Sequence, residues 1–187
     1  MRKLKLQMQV TVDGFVAGPE GQLNWMAPID SDQKLTGFID QLTDTSDTIL
    51  LGRKMTPGFV SYWEDSAAKP DEAEHDFALK MVNTPKIVFS RTLDHVDGSN
   101  IRVENGDLEQ AVDGLKREAG KDLIVYGGAT FVSSLIRAGL IDEFHFFVNP
   151  AAIGDGMRVF DGRAPLELLA STAYPSGVVV NSYAPRS

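Results

Sequence analysis

The feature that most constrains this chain is a regular alternation between short apolar runs and longer segments with helical spacing. Residues 4–10 alternate apolar and polar side chains as a half-buried strand does, whereas residues 32–45 space their apolar side chains for a helix. Further strands are predicted at 48–51, 85–90, 101–103, 123–126 and 143–148, and further helices from 54–57 onward and over 71–83, 107–119 and 129–138. Strands separated by helices favour a mostly parallel sheet with helices on both faces.

The C-terminal end departs from this alternation. Two strand-like segments, 166–174 and 178–183, flank Pro175-Ser176-Gly177, which favours an antiparallel hairpin. The chain has 187 residues, no linker and no internal repeat, so we expect one α/β domain over 1–187. Its sheet is then mixed: mostly parallel, with antiparallel strands at the C-terminal end.

Charge and composition exclude several classes of protein. The formal net charge of −8 leaves no basic footprint for bulk nucleic acid, and the absence of cysteine excludes thiol catalysis and cysteine zinc sites. The three scattered histidines form no metal-ligand pattern. No apolar run approaches the roughly 18 residues that span a bilayer, and the basic start lacks the apolar core of a signal peptide. The sequence therefore predicts a cytoplasmic protein with no metal site.

Basic residues and glycines follow three of the predicted strands, in the segments Gly52-Arg53-Lys54, Ser90-Arg91 and Gly127-Gly128-Ala129-Thr130. Ligands of open α/β sheets bind at the carboxyl ends of the strands, where glycine lets a phosphate approach the backbone and helix N-termini offer free N–H groups. Each segment alone is also typical of a turn or a solvated cation, but together they predict a nucleotide phosphate site. The fingerprints G-x-G-x-x-G and G-x-x-x-x-G-K-[ST] are both absent, which disfavours a Rossmann dehydrogenase and a P-loop kinase.

An ordered set of segments resembles the dihydrofolate-reductase-like superfamily, and within it a stand-alone member of the RibD C-terminal type, the reductase domain of riboflavin biosynthesis. The segments are Val10-Thr11-Val12-Asp13-Gly14-Phe15-Val16-Ala17-Gly18, Leu51-Gly52-Arg53-Lys54-Met55, Val88-Phe89-Ser90-Arg91, Val125-Tyr126-Gly127-Gly128, Leu140-Ile141-Asp142-Glu143-Phe144-His145, Asn149-Pro150, and Ile153-Gly154-Asp155-Gly156 with Phe160. The resemblance implies a sheet of about eight strands, a homodimer, and NADPH as the hydride donor for a heterocyclic small molecule, as in 5-amino-6-(5-phosphoribosylamino)uracil reductase.

The resemblance also implies which residues meet the cofactor and the substrate. The cofactor set is Gly52, Arg53, Lys54, Ser90, Arg91, Gly127, Gly128, Ala129 and Thr130. Within it, Ser90 and Arg91 would hold the adenosine 2′-phosphate, and Gly127 to Thr130 the pyrophosphate. An arginine binds a phosphate bidentately, so Arg91 favours NADPH over NADH. The substrate set begins with Asp13, Gly154, Asp155 and Gly156, each of which is also typical of a turn. From the residues themselves, Trp25 joins this set because it suits stacking on a flat substrate ring, although Trp25 and Trp63 equally suit the core or its rim, and Arg158 and Arg163 are the candidates for a substrate phosphate.

The proton donor is predicted from Trp25-Met26-Ala27-Pro28-Ile29-Asp30, which resembles the Trp-x-x-Pro-x-acid segment of dihydrofolate reductases. The resemblance implies Asp30 as the catalytic acid, with an ordered water as the alternative. Proton donation near neutral pH would require Asp30 to be buried in the cleft. Asp30, Ser31 or Asp32 equally suits a helix cap. The alternative functions are a dihydrofolate or pterin reductase, a nucleotide-binding protein without turnover, and a non-redox enzyme that binds another phosphate.

Overall fold

The strands and helices follow one another in the predicted order in this computed structural model, which describes residues 1–186. The strands are β1 (Leu4–Thr11), β2 (Ser46–Gly52), β3 (Lys86–Phe89), β4 (Ile101–Glu104), β5 (Asp122–Val125), β6 (Glu143–Asn149), β7 (Leu166–Ala173) and β8 (Val179–Pro185). The helices are α1 (Gln33–Asp44), α2 (Thr56–Ala67), α3 (His75–Asn83), α4 (Leu108–Arg117) and α5 (Ala129–Arg137). None of the helices in residues 1–186 has the length and apolar character that crossing a membrane requires.

The strands form one eight-stranded sheet in the order β4-β3-β2-β5-β1-β6-β8-β7. Neighbours from β4 to β6 are parallel, whereas β8 is antiparallel to β6 and β7 is antiparallel to β8. The predicted mixed sheet with a C-terminal antiparallel hairpin is therefore confirmed. Because the six parallel strands all end on the same side, we name that side the carboxyl edge and the opposite side the amino edge.

Two layers of helices cover the sheet because the apolar side chains of each strand alternate between its faces. On one face, Leu4, Leu6 and Met8 of β1 lie in a buried cluster with residues of α4 and α5. On the other face, α1 packs against β6 and β8, and residues of α1, α2 and α3 pack against β2 and β3. The alternation in residues 4–10 therefore predicted the strand, and the structure shows that its apolar face packs against α4 and α5.

The starts of two helices refine the expectations from sequence. Of the three candidate caps, Asp32 caps α1, because its carboxylate accepts the Leu35 N–H at 3.2 Å. Asp32 also accepts the Ser176 N–H at 2.8 Å, which ties α1 to the turn of the hairpin. α3 begins at His75, four residues later than the predicted start at 71, because residues 69–75 close successive turns through the N–H groups of Glu72 and His75.

Candidate active site

The carboxyl edge contains a point at which two crossovers diverge. β1 and β5 are neighbours, but the chain leaves β1 towards β2 through α1 and leaves β5 towards β6 through α5. These two helices lie on opposite faces of the sheet. Open α/β sheets bind ligands in the crevice that such a divergence creates. The residues that follow β1, β2, β3, β5 and β6 are therefore the candidates for a site.

A close approach between β2 and α5 shapes one side of this crevice. A Cβ atom on Gly52 would lie 2.6 Å from the Cβ of Phe131 and 3.0 Å from its Cγ, so only glycine fits at the end of β2 without movement. Phe131 in turn stacks on Phe89 at the end of β3, with ring centroids 5.3 Å apart. Arg53 and Lys54 follow directly, both exposed and, within residues 1–186, without a hydrogen-bond or ion-pair partner.

The first turn of α5 faces the same crevice. Gly128 is the N-cap residue with φ of 82°, in the left-handed region that favours glycine, and it has no side chain to cap the helix. The first N–H groups of an α-helix have no partner within the helix, so here they are free for a ligand. A Cβ atom on Gly127 would lie 3.3 Å from the sulfur of Met55, so a side chain there would crowd the crevice. Ala129 and Thr130 begin the helix at this point.

The turn after β3 presents Arg91. The buried Ser90 hydroxyl oxygen accepts the N–H groups of Thr92 at 3.2 Å and Leu93 at 3.0 Å, and the Ser90 carbonyl oxygen accepts Asn105 Nδ2–H at 2.8 Å. Arg91 itself is exposed and has no partner in the described part of the chain. Ser90 therefore shapes the turn that holds Arg91 at the carboxyl edge, and its contact with a ligand stays a prediction.

The Asp13 carboxylate joins the loop after β1 to the loop after β6. It accepts the Thr11 hydroxyl at 2.5 Å, the Gly154 N–H at 2.8 Å and the Ile153 N–H at 3.1 Å. The Thr11 and Gly154 hydrogen bonds hold the pKa of Asp13 below its usual value. Both carboxylate oxygens are thus engaged within the protein. The structure thus joins Asp13 to Gly154, a contact that the sequence analysis did not predict, and Asp13 positions the loop.

The rest of that loop packs closely on the segment after β1. A Cβ atom on Gly156 would lie only 2.2 Å from the Ala17 carbonyl oxygen, and Met157 and Ala17 pair as an isolated antiparallel bridge. Asp155 is exposed, and its side chain accepts the Gly156 N–H at 2.8 Å. The predicted substrate loop is therefore held in place by the backbone of residues 16–17 as well as by Asp13.

Asn149 has an organising role that the sequence analysis missed. It is fully buried at the end of β6, where its side-chain oxygen accepts the Ala27 N–H at 2.8 Å and its nitrogen donates to Gln9 Oε1 at 2.7 Å. The first bond ties the segment 22–30 to the end of β6, and the second ties Asn149 to β1. The indole of Trp25 in this segment is half-buried and donates to the Gln22 carbonyl oxygen at 3.1 Å. The signal was an amide side chain at the end of an apolar strand, directly before Pro150.

Asp30 is not buried, although proton donation near neutral pH would require a buried carboxyl. It is exposed in the turn before α1 and makes no side-chain hydrogen bond within residues 1–186. Burial and the Glu74 carboxylate raise the pKa of Tyr62 on α2 to about 12, with a smaller contribution from Asp30. The segment that Asn149 fixes thus leaves the Asp30 carboxyl in contact with solvent.

The cations at the two edges of the sheet differ in how they are paired. Buried cations at the amino edge are matched by carboxylates, in the pairs Arg2–Asp47, Lys5–Asp122 at 2.7 Å and Lys116–Asp142 at 2.6 Å. At the carboxyl edge, Arg53, Lys54, Arg91 and Arg158 are exposed without a carboxylate partner among the described residues. A bound anion would supply the missing counter-charge at the carboxyl edge.

Two open depressions lie at the amino edge rather than at this site. One of about 370 Å³ includes Thr48 and Ile101 in its lining, and one of about 330 Å³ includes Ser46 and Thr84. Lys86 lines the first, but its ammonium group is buried and donates to three carbonyl oxygens at the end of α3. Because the cations around these depressions are already bound within the protein, we assign the functional site to the carboxyl edge.

Comparison with known protein families shows which family the chain belongs to. The model of the RibD C-terminal domain matches residues 2–180. The chain belongs to the RibD C-terminal domain family. The resemblance inferred from the sequence is therefore confirmed. The uncharacterized protein YyaP of Bacillus subtilis (strain 168) is 34% identical to this chain over 183 residues, which span 95% of this chain and 92% of YyaP.

Solved structures share the fold at low sequence identity. A putative riboflavin biosynthesis protein from Shewanella sp. PV-4 aligns over the whole of both chains with a TM-score of 0.76 and 18% identity. The diaminohydroxyphosphoribosylaminopyrimidine deaminase/5-amino-6-(5-phosphoribosylamino)uracil reductase of Thermotoga maritima aligns with 99% of this chain and 57% of its own, with a TM-score of 0.68 and 15% identity. Dihydrofolate reductase from Enterococcus faecalis, complexed with NADP(H), aligns with 99% of this chain and 97% of its own, with a TM-score of 0.61 and 17% identity.

In this RibD C-terminal domain, the predicted site residues fall into two groups at the carboxyl edge. The cofactor set follows β2, β3 and β5, and the substrate set follows β1 and β6, apart from Trp25 in the segment that Asn149 fixes. Asp30 belongs to neither group, since its carboxyl is exposed in the turn before α1.

Proposed function

We propose that this protein is an NADPH-dependent reductase of a heterocyclic small molecule. The observation that carries the proposal is the group of three exposed, unpaired cations, Arg53, Lys54 and Arg91, beside the free N-terminus of α5. Membership of the RibD C-terminal domain family supports a reductase. The Thermotoga structure with the same fold includes a uracil reductase, and the Enterococcus structure with the same fold is a dihydrofolate reductase complexed with NADP(H). The proposal makes the carboxyl edge the active site.

The residues present fit a dinucleotide with a 2′-phosphate. Gly52 has no room for a side chain because Phe131 lies against it, and this contact holds the end of β2 close to the start of α5. At Gly127 the absence of a side chain leaves the backbone open towards the crevice, where the flexible Met55 side chain is the nearest group. In the proposal, the N–H groups of Gly128, Ala129 and Thr130 bind the pyrophosphate, and Arg53 and Lys54 neutralise its charge. Arg91, placed by Ser90, binds the 2′-phosphate. When bound, NADPH supplies the hydride.

The substrate lies on the other side of the crevice in this proposal. Trp25 offers a flat apolar surface for a heterocyclic ring, and Asp13 holds the loop with Gly154, Asp155 and Gly156 in place beside it. Reduction of a C=N or C=O bond also needs a proton on the heteroatom. The Asp30 carboxyl is exposed, so in this proposal the proton comes from an ordered water, the alternative source that the sequence analysis gave.

We expect the protein to bind NADPH and to bind NADH at least about tenfold more weakly, since one charge-assisted contact is worth that factor. The test is a titration of the purified protein with each nucleotide, followed by nicotinamide fluorescence and by the shift in melting temperature. Pterins and aminopyrimidines are then screened for oxidation of the bound NADPH. Binding of neither nucleotide would refute the proposal.

The exposed Asp30 favours one alternative from another class, a nucleotide-binding protein that has lost turnover. It predicts tight NADPH binding with no oxidation of NADPH by any pterin or aminopyrimidine in the same screen. Oxidation by a dihydropterin alone would instead assign a pterin reductase. The one experiment therefore separates the three candidate functions.

We further propose that the protein is a cytoplasmic homodimer that pairs through β7. This strand is at the edge of the sheet, and its Leu168 and Leu169 are 55% and 54% exposed. A long edge strand with exposed apolar side chains is a template for pairing with another chain. Leu168→Lys is expected to yield a monomer in analytical ultracentrifugation, whereas Leu79→Lys on α3 leaves the dimer intact. A wild-type monomer, or a Leu168→Lys dimer, would contradict this assembly.

A further inference from the structure

The turn that carries Arg91 is held by a side chain from another part of the fold. Asn105 follows β4, and its Nδ2 donates to the Ser90 carbonyl oxygen and to the Leu93 carbonyl oxygen, both at 2.8 Å. These two acceptors stand one residue before and two residues after Arg91. A primary amide has two N–H donors, so Asn105 uses both of them on this turn. The backbone around Arg91 is therefore held at both ends by one amide group.

The backbone of Asn105 is itself fixed between two regular elements. Glu104, directly before it, is the last residue of β4, and its carbonyl oxygen accepts the Ser90 N–H at 3.1 Å. Asp107, two residues after it, caps α4 by accepting the Gln110 N–H at 3.0 Å. The Asn105 side chain thus projects from a short connection that is anchored on both sides.

The bonds of Asn105 differ in kind from those that the Ser90 hydroxyl makes. The Ser90 hydroxyl oxygen accepts N–H groups from Thr92 and Leu93, so it closes the turn from within. The two bonds of Asn105 instead reach across 15 and 12 positions of sequence, to the connection between β4 and α4. Loss of the Asn105 amide would therefore leave the turn its internal bonds but would remove the bonds that orient it against the sheet.

The other cations of the cofactor side have no comparable need of an anchor. Arg53 and Lys54 lie in the three-residue connection between β2 and α2, so the strand and the helix hold them directly. Arg91, by contrast, lies near the start of residues 90–100, which contain neither helix nor strand. Asn105 thus supplies for Arg91 the anchoring that a short connection supplies for the other two cations.

We propose that Asn105 is the positioning residue for Arg91 and thereby sets the preference of this protein for a nucleotide with a 2′-phosphate. This inference rests on the proposed function. A bidentate contact requires the planar guanidinium group to face the phosphate in one orientation, so it depends on how the turn is held. NADH lacks the 2′-phosphate, so its binding is independent of this turn.

The test compares the full-length wild type with Asn105→Ala by nicotinamide fluorescence titrations with NADPH and with NADH. We expect the dissociation constant for NADPH to rise about 3-fold to 10-fold, and that for NADH to stay unchanged. The loss is smaller than that expected for Arg91→Ala, because the guanidinium group is still present. Equal weakening of both nucleotides would overturn the inference, since a general loosening of the site does not distinguish them.

The double variant with Asn105→Ala and Arg91→Ala shows whether Asn105 acts through Arg91. In the absence of the guanidinium group there is nothing left to position, so Asn105→Ala is expected to weaken NADPH binding no further when Arg91→Ala is already present. If the losses from the two substitutions added up in the double variant, Asn105 would act on the nucleotide without Arg91, and the inference would be overturned.

Asn100→Gly is the matched control. Asn100 precedes β4 at the amino edge, where its Nδ2 donates to the Val82 carbonyl oxygen at 3.2 Å, so this variant also removes an amide-to-carbonyl bond. Asn100 has φ of 55°, in the left-handed region, and glycine adopts this conformation without strain. Asn100→Gly is expected to leave both affinities unchanged. A loss of NADPH preference equal to that of Asn105→Ala would contradict the role of Asn105.

Hydrogen exchange tests the anchoring without a nucleotide. In Asn105→Ala, the N–H groups of Thr92 and Leu93 are expected to exchange faster than in the wild type by NMR, while those of β3 stay protected. Unchanged exchange at Thr92 and Leu93 would overturn the anchoring, and protected β3 amides show that the variant is folded.

The failure of this inference is distinguishable from the failure of the proposed function. If the wild type binds neither nucleotide, or both equally, the proposed function fails and the role of Asn105 in nucleotide preference fails with it. If the wild type prefers NADPH and Asn105→Ala retains the whole of that preference, this inference alone is overturned.

Discussion

Gly52→Ala is expected to destabilise the fold and weaken NADPH binding together. The added Cβ would lie 2.6 Å from the Cβ of Phe131, and both atoms are attached directly to backbone, so neither can rotate away. Phe131 is also held on its other side by the ring of Phe89. Either β2 or the start of α5 must therefore move. Overpacking of this kind costs about 1–3 kcal/mol of unfolding free energy.

The same movement separates the groups that we assign to the cofactor phosphates. Arg53 and Lys54 continue from β2, whereas the free N–H groups belong to α5, so a shift between the two elements spoils their joint geometry. We expect the dissociation constant for NADPH to rise by about tenfold, the equivalent of about 1.4 kcal/mol. Urea denaturation and the NADPH titration measure the two effects on one sample.

Gly37→Ala is the matched control for this variant. Gly37 lies inside α1, and apart from its chain neighbours and the adjacent backbone of its own helix, a Cβ atom there would meet no atom of residues 1–186 within 4 Å. Alanine in place of a helical glycine stabilises a protein by about 0.5–1 kcal/mol, so this variant is expected to gain stability with NADPH binding unchanged. If Gly52→Ala behaved like Gly37→Ala, the close approach of β2 and α5 would have no bearing on the site.

The predictable part of this molecule is the part that short-range patterns control. Residues 4–10 show both the strand and its buried face, because apolar side chains recur with the period of a strand. The gathering of Arg53, Arg91 and Gly127 at one edge also follows from the sequence, since parallel strands end at the same edge of a sheet. The start of α3 was less accurate, because turns through residues 69–75 are rich in the same acidic residues as a first helical turn.

Contacts between distant loops account for the part that was not predicted. Asn149 reaches Ala27 across 122 positions of sequence, and Asp13 reaches Gly154 across 141. No local sequence pattern predicts such a contact between distant residues, although Asp13 and Asn149 both lie at strand ends, where functional residues were expected. The exposure of Asp30 likewise depends on the path of the segment 22–30, which no local pattern determines. The cation–π contact of Arg158 with the Phe15 ring likewise forms only once the loops after β1 and β6 have folded.

Arg91→Ala is expected to weaken NADPH binding by about 10-fold to 100-fold and to leave NADH binding unchanged. A hydrogen bond to a charged group contributes about 1.5–3 kcal/mol, and Arg91 has no carboxylate in the described residues to occupy it before the ligand arrives. The 2′-phosphate is the only group by which the two nucleotides differ, so a contact with it must appear as a difference between them. Nicotinamide fluorescence titrations of both nucleotides measure that difference directly.

Arg102→Ala is the control for charge alone, because Arg102 lies on the neighbouring strand β4 and pairs with Glu104 at 3.5 Å. It is expected to change neither affinity. If Arg91→Ala weakened the binding of NADPH and NADH equally, Arg91 would be reassigned from the 2′-phosphate to the pyrophosphate, which both nucleotides share. An unchanged NADPH affinity would remove Arg91 from the site, and the preference for NADPH would then have to come from Arg53 or Lys54, the two other unpaired cations on that side of the crevice.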